Sequence, residues 1–176
     1  MFADPTPDAD EQRDNATFAA VLGALARPGT EQTLPEPDLL TVARALIDRE
    51  CRAAADDEEM RSALGALGAT VVLPELADHA VLAAGDAEFL ARLPVGDALY
   101  PERGATAIVS ARIGEGARLR LTGPGIEVAE EMAIAVDAAF WAARKAACRY
   151  PLGIDLIFVD GARTVAVPRS TNVEVI

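Results

Sequence analysis

The sequence predicts an α/β fold in which a mixed β-sheet is layered against helices. Short runs rich in Val, Ile and Leu alternate along the chain with stretches in which apolar residues recur every three or four positions, and this alternation is typical of layered α/β proteins. The run IDLIFV at 154–159 is apolar almost throughout, as expected for a strand covered on both faces. The length of 176 residues fits one domain with a substantial core, and we expect only about the first ten residues to be flexible.

The first half of the chain is predicted to contain four helices and three short strands. Helices are expected at 11–26, 38–49, 56–67 and 86–93, and strands at CRAAA (51–55), ATVVLPE (69–75) and HAVLAAG (79–85). Asp56 with Glu59 three positions later resembles a capping box at the start of the third helix. Four residues are predicted to form the apolar face of the first helix, namely Phe18, Val21, Leu22 and Leu25.

The segment 106–123 predicts a β-hairpin. TAIVSARI and RLRLTG are strand-like runs, and the GEGA sequence between them supplies a loop that contains glycine. Because side chains alternate along a strand, Leu119 and Leu121 should point to one face, and Arg118 and Arg120 to the other.

A long helix is predicted at about 127–148, after the GPG turn. Its polar residues include Glu130, Asp137 and Arg144, which recur every seven positions and form a narrow stripe on an otherwise apolar cylinder. A helix that is apolar over most of its surface has to be covered on most sides. We therefore expect this helix to pack against the sheet and against a second chain.

The last segment is expected to close the sheet. DG at 160–161 supplies a turn into RTVAVP (163–168). Pro168 then interrupts the ladder, and NVEVI (172–176) resumes the alternation of a strand. Because chain ends fray unless they are held, this Val- and Ile-rich end predicts a paired strand with a bend at 168–171.

Composition excludes several classes of function. The net charge of −12 repels polyphosphate backbones, so a nucleic-acid partner is not expected. No apolar run is long enough to span a membrane. The start of the sequence lacks the basic and apolar regions of a secretory signal, and we expect a cytoplasmic protein.

The rare residues narrow the chemistry further. His79 is the one histidine and Lys145 the one lysine. We therefore expect no histidine pair, no Ser-His-Asp triad and no multi-histidine metal site within this chain. His79 is expected to be a polar residue at a strand edge. The two cysteines, Cys51 and Cys148, are far apart in sequence and are expected to be buried free thiols.

Two short motifs could hold an anion. PRST places Arg169, Ser170 and Thr171 together, a set that suits a phosphate, phosphonate or carboxylate and suits equally a bend whose hydroxyls bond to the backbone. The turn in LTGPGIEVAEE precedes a predicted helix, as in phosphate cradles. Three carboxylates crowd this turn and favour a tight corner instead, namely Glu127, Glu130 and Glu131.

Several segments together resemble one known family. RLTGPGI, PLGIDLIF and VPRSTNVEV, in this order and spacing, resemble the PhnH family of the bacterial carbon–phosphorus lyase pathway, and FAAVLGALARPG and YPERGAT also fit its pattern. The resemblance covers nearly the whole chain. One departure is Asn172, where several relatives would have histidine, and this removes one candidate proton carrier.

The resemblance implies a three-layer α/β/α sandwich that is a reduced version of the type I pyridoxal-phosphate transferase fold, and a homodimer. It implies a subunit without catalytic residues of its own, in a multi-subunit assembly in which an alkylphosphonate displaces adenine from ATP. The product is a ribose 1-phosphonate 5-triphosphate. Candidate anion- or partner-binding residues are Arg120, Arg169, Ser170 and Thr171.

No cofactor is expected. Lys145 lies near the end of the long predicted helix, where a cation interacts favourably with the helix dipole, rather than in the desolvated pocket that a Schiff-base lysine needs. Two alternatives stay open: a stand-alone enzyme or cofactor-binding remnant with the pyridoxal-phosphate fold, and a pure scaffold that binds no ligand.

Overall fold

The computed structural model describes residues 7–176 and alternates strands with helices along the chain. The helices are α1 (Ala9–Ala26), α2 (Leu39–Leu46), α3 (Glu58–Ala66), α4 (Ala87–Arg92) and α5 (Ala138–Ala147). The strands are β1 (Gln32–Thr33), β2 (Arg52–Ala55), β3 (Thr70–Val71), β4 (His79–Leu82), β5 (Thr106–Ser110), β6 (Ile113–Thr122), β7 (Glu130–Ile134), β8 (Asp155–Asp160), β9 (Arg163–Val167) and β10 (Asn172–Val175). The helices and strands predicted for the first half of the chain are thus observed, except that 69–75, expected to be a short buried strand, forms only the exposed two-residue strand β3 and a 3-10 turn at Pro74–Leu76.

The main sheet has seven strands in the order β1-β9-β8-β5-β4-β2-β3. Strands β8, β5, β4, β2 and β3 run parallel to one another. At one side, β9 pairs antiparallel with β8, and β1 pairs antiparallel with β9. The prediction of a mixed sheet with helices is confirmed. The run IDLIFV supplies Ile154 and most of the interior strand β8, and four of its residues are fully buried, namely Ile154, Leu156, Ile157 and Phe158.

The two faces of the main sheet are covered by different layers. Helices α1, α2 and α3 contribute Val21, Val42 and Leu64 to the core on one face. The other face packs against α4, α5 and a second sheet of three antiparallel strands in the order β10-β6-β7. One outer layer therefore consists of two helices and a small β-sheet. This corrects the expectation that both outer layers contain helices alone.

The predicted hairpin of β5 and β6 is wrong. Strand β5 pairs with β4 and β8 in the main sheet, whereas β6 pairs with β7 and β10 in the small sheet. The side-chain pattern explains the separation. Strand β5 is apolar on both faces and needs cover on both, while β6 buries Leu119 and Leu121 and exposes Arg118 and Arg120, as its alternation predicted.

The predicted long helix at 127–148 is also wrong. Its first part is strand β7, and only Ala138–Ala147 is helical. The Asp137 carboxylate accepts a hydrogen bond from the backbone N–H of Phe140 at 2.8 Å and so caps α5. Glu130 lies on β7 and Arg144 is buried, so the polar stripe does not exist. The expectation of a second chain loses the support it drew from that stripe.

Helix α1 presents a different face to the core from the one predicted. The sequence favoured Phe18, Val21, Leu22 and Leu25, but Phe18 is 50% exposed and Leu22 is 56% exposed. The buried residues are Thr17, Val21 and Ala24, which are small enough to let the helix lie close to the sheet. Alanines occur on several sides of this helix, so the apolar periodicity of its sequence did not define one face.

Two smaller expectations concern helix starts. Helix α3 is capped by Asp57, not Asp56, whose carboxylate instead accepts from the N–H of Ala83. Helix α1 is already formed at Ala9, with a capping box between Asp8 and Glu11. For residues 1–6 the expectation of flexibility lies outside the described residues. Within residues 7–176, no helix combines the length and the apolarity needed to cross a membrane.

Candidate functional site

A cleft of about 670 Å³ lies between α5 and the chain that follows β9. We call it the α5 cleft, and the residues that matter here are Trp141, Arg144, Lys145, Arg169, Thr171 and Glu174. The fold forms it because α5 packs its Phe140 side against the main sheet while β10 joins the small sheet through β6. The bend at 168–171 connects these two layers and forms one wall.

The structure brings three of the predicted residues into this cleft. Arg169, Ser170 and Thr171 all line it, because the PRST bend lies at its wall. Arg120 is not among the lining residues. It lies on β6 between Glu131 of β7 and Glu174 of β10 in the strand register, where two carboxylates flank its charge. Anion binding by these four residues stays a prediction.

Arg169 is held by internal partners. Its Nε donates to Asp155 Oδ2 at 2.9 Å, and its backbone N–H donates to Asp155 Oδ1 at 2.7 Å. Its Nη1 and Nη2 donate to the carbonyls of Pro101 and Gly104 at 2.6 and 3.0 Å. The guanidinium therefore fastens the PRST bend to β8 and to the loop before β5, and each of its three nitrogens already has an acceptor.

Arg144 is the second cation of the cleft and is only 3% exposed. Its Nη2 donates to the carbonyls of Pro168 and Thr171 at 2.8 and 3.0 Å. No carboxylate of residues 7–176 forms an ion pair with it; the Asp155 carboxylate, whose charge acts on Arg144, is bound to Arg169. Burial lowers the pKa of the Arg144 guanidinium, but an arginine side chain keeps its proton in proteins. The cleft thus contains a buried positive charge without a contacting counter-charge.

Three side chains of the cleft carry buried donors that lack partners. Trp141 Nε1, Arg144 Nε and Thr171 Oγ1 make no hydrogen bond within the described part of the chain. Their residues are only 2–4% exposed. Buried polar groups in native proteins nearly always find a partner, so each exception calls for a physical explanation.

The sequence reasoning missed Trp141 and Arg144. It placed Arg144 on a solvated stripe, and it did not consider Trp141 as a functional residue. The sequence did contain a usable signal. Trp141 and Arg144 are three positions apart and therefore lie on one face of a helix, so the arginine shares its face with a large apolar side chain.

A second surface feature lies beside the cleft. Leu99 is 81% exposed, Tyr100 is 45% exposed and Tyr150 is 73% exposed. Their loops are joined by a hydrogen bond from the N–H of Gly153 to the carbonyl of Val95 at 2.9 Å. We call these three residues the loop patch. The carbonyls that Arg169 binds belong to the same loop as Leu99 and Tyr100, so the clamp also positions the patch.

The other candidates do not assemble into a site. The LTGPG turn leads towards β7 rather than into a helix, which removes the phosphate cradle. His79 opens β4, as expected, and is partly buried. Cys51 and Cys148 are free and partly buried; Cys51 lies outside the α5 cleft, whereas Cys148 is one of its lining residues. Among residues 7–176, no cluster of three or more His, Cys, Asp and Glu side chains could hold a metal ion.

Comparison with known proteins gives matches along nearly the whole chain. The model of the family described as "Bacterial phosphonate metabolism protein (PhnH)" matches residues 2–174. The chain is 35% identical over 169 residues to the "Putative C-P lyase subunit protein HtxG" of Stutzerimonas stutzeri. The aligned region covers 92% of this chain and 86% of that protein.

Proposed function

The chain belongs to the PhnH family of bacterial phosphonate metabolism proteins, and on that basis we propose that it is a supporting subunit of a carbon–phosphorus lyase assembly. The name of the relative, a putative C-P lyase subunit, supports an assembly with other subunits. The reaction that we propose for the assembly is displacement of adenine from ATP by an alkylphosphonate. It gives a ribose 1-phosphonate 5-triphosphate.

We assign the bond-breaking step to a partner subunit. When the glycosidic bond breaks, an acid must protonate the departing adenine, and charge develops on the ribose carbon. The carboxylate that lines the α5 cleft is Glu174, on the exposed strand β10, and the nearby Asp155 carboxylate is bound to Arg169. The observation that carries the supporting role is the Arg169 clamp, because this cation serves the chain's own loops.

The loop patch is the surface that we assign to the partner subunit. Exposed aromatic side chains are enriched where proteins associate, and Leu99, next to Tyr100 in the sequence, adds exposed apolar surface. Arg103 lies over the ring of Tyr100, with its guanidinium carbon 4.0 Å from the ring centre, and adds a cation at the edge of the patch. A rigid apolar surface held by a buried clamp suits a permanent contact. We also propose that the isolated chain forms a homodimer, which light scattering can test.

Adenine release from ATP and methylphosphonate by the reconstituted subunits tests this function. We expect release to require the chain and to fall strongly when it carries Leu99→Asp with Tyr150→Asp. Leu73→Asp is the matched control, because Leu73 is 66% exposed and lies outside the patch. Near-UV circular dichroism shows that the variants are folded. Equal release without the chain would show that the proposed role is wrong.

We also propose that the fold is a reduced version of the type I pyridoxal-phosphate transferase fold, without the cofactor. The residues fit that cofactor poorly. Lys145 is exposed at the last turn of α5, whereas a reactive lysine needs a desolvated or cation-rich position. Asp155, a possible partner for the pyridinium nitrogen, is occupied by Arg169. A Lys145-dependent visible absorbance after addition of pyridoxal phosphate would contradict this proposal.

A further inference from the structure

The α5 cleft contains an imbalance of charge and hydrogen bonding that the supporting role does not explain. Arg144 is buried with two backbone carbonyls as its acceptors, while its Nε stays unpartnered within residues 7–176. The Asp155 carboxylate acts on Arg144 only through space and is hydrogen-bonded to Arg169, and a buried charge without a directly bound counter-charge is destabilising. Trp141 Nε1 and Thr171 Oγ1 are two more unpartnered groups, each buried just behind the surface of residues that line the same cleft. All three groups need an acceptor, and the arginine also needs negative charge.

We propose that the α5 cleft binds an oxyanion of the phosphate class. Arg144 supplies the charge, Trp141 and Thr171 supply neutral donors, and the ammonium of Lys145 lies at the exposed rim. The donors come from two walls, since Trp141 and Arg144 belong to α5 and Thr171 to the bend after β9. Because these donor atoms are themselves buried, the proposal requires the three side chains to rotate towards the ligand.

A phosphoryl or phosphonyl group fits this donor set better than water or a carboxylate. Water carries no charge and leaves Arg144 uncompensated. A carboxylate presents two oxygens in one plane, whereas a tetrahedral group presents three oxygens in different directions and accepts from both walls. Glu174, the carboxylate that lines the cleft, opposes any anion. The proposal therefore predicts that removing its charge strengthens binding.

The single tryptophan of the chain makes the site directly observable. Trp141 is that residue, so its fluorescence reports on this cleft alone. The full-length chain is titrated with inorganic phosphate and with methylphosphonate, and the two titrations show which source of the group is preferred. Acetate and sodium chloride at the same ionic strength are the controls. We expect saturable changes with at least one of the first two and none with the controls.

Thr171→Val and Thr41→Val form a matched pair. Both remove a buried hydroxyl that lacks a partner, but Thr41 lies on α2 at the other face of the main sheet. We expect Thr171→Val to raise the dissociation constant about tenfold and Thr41→Val to leave it unchanged. Equal binding by both variants would place the anion elsewhere and overturn the proposal.

Glu174→Gln guards against a misfolding artefact, because it is expected to improve binding. Removal of this exposed charge should lower the dissociation constant about two- to threefold, because repulsion between an anion and a carboxylate near the surface changes affinity by about that factor. Unchanged or weaker binding would contradict the proposed location. Acetate binding as tight as phosphate binding would overturn the assignment to the phosphate class. The titrations use the isolated chain, so they do not depend on the supporting role.

Discussion

Arg169 and Asp155 form a two-point contact in which the side chain and the backbone N–H of Arg169 both donate to one carboxylate, at 2.9 and 2.7 Å. The pair is largely shielded, with side-chain exposures of 14% and 23%. It joins the bend at 168–171 to the start of β8. The remaining donors of Arg169 reach the Pro101 and Gly104 carbonyls, so one side chain connects three segments that are distant in sequence.

Replacing Arg169 should therefore destabilise the protein strongly. Arg169→Ala leaves Asp155 without its partner and frees two loop carbonyls, and we expect the free energy of unfolding to fall by about 3 kcal/mol. Urea denaturation measures this. Arg112→Ala is the matched control, because Arg112 pairs with Glu115 at 70% and 60% exposure. That change should leave the denaturation midpoint almost unaltered, and equal effects would show that the Arg169 pair has no special role.

Gly104 should not tolerate a side chain. A Cβ there would lie far inside van der Waals contact of the Gly153 carbonyl oxygen and of Arg169 Nη1. We expect Gly104→Ala to destabilise the protein by about 1–3 kcal/mol or more through overpacking. Gly65→Ala serves as control, because its Cβ would meet only Val71 Cγ2 at 3.8 Å. Gly65 is inside α3, so alanine should stabilise by up to about 1 kcal/mol; the same sign at both positions would refute the close approach.

His79 should make stability depend on pH in mildly acidic solution. Burial lowers its pKa below the ordinary value of 6.5, against the opposing charges of Asp78 and Asp48. The unfolded chain then binds the proton more tightly than the folded protein, so stability falls as the pH drops below about 6.5. His79→Gln does not titrate and should flatten the stability curve in this range.

A different group acts at lower pH and can be separated from His79. Hydrogen bonds from Arg52 hold the pKa of Asp78 below its ordinary value of 3.8. The stability from that pair is complete above about 3.8 and is lost as the pH falls towards the lowered value. Urea titrations at a series of pH values measure both effects. Equal slopes between pH values of about 5 and 6.5 in the wild type and His79→Gln would contradict the role of His79.

The cap of α5 should control the shape of the cleft. Asp137→Ala removes the acceptor for the Phe140 N–H, and we expect a loss of about 1 kcal/mol. Because α5 carries Trp141, the near-UV circular dichroism of this tryptophan should change as well. Asp57→Ala removes the equivalent cap of α3 on the opposite face of the sheet. It should cost a similar amount without altering the tryptophan signal, and a change in both would show that the effect is not local.

Local pattern was sufficient for much of the fold. The continuous apolar run at 154–159 indicated an interior strand, and the alternation of Leu119 and Leu121 with arginines indicated a strand with one buried face. Both inferences depend on which faces of a strand must leave water, and side-chain order records that directly. Sequence similarity also supplied the family.

The site was only partly predictable. PRST drew attention to Arg169, Ser170 and Thr171, and these residues do line one cleft. The sequence could not show that Arg169 would be bound by Asp155, which precedes it by 14 positions, or by carbonyls 65 and 68 positions away. Trp141 and Arg144 were overlooked because the helix that carries them was assigned the wrong start.

By itself, the sequence determined the α/β class, the interior strand β8, the one-sided strand β6 and the approximate positions of most helices, because each depends on periodicity within a few residues. Only the tertiary structure decided that β5 and β6 enter different sheets, that 130–134 pairs as a strand, and that Arg144 is buried. The physical reason is competition between partners. An ambiguous apolar segment adopts the conformation that buries it against a distant neighbour, and the position of that neighbour is a property of the whole fold.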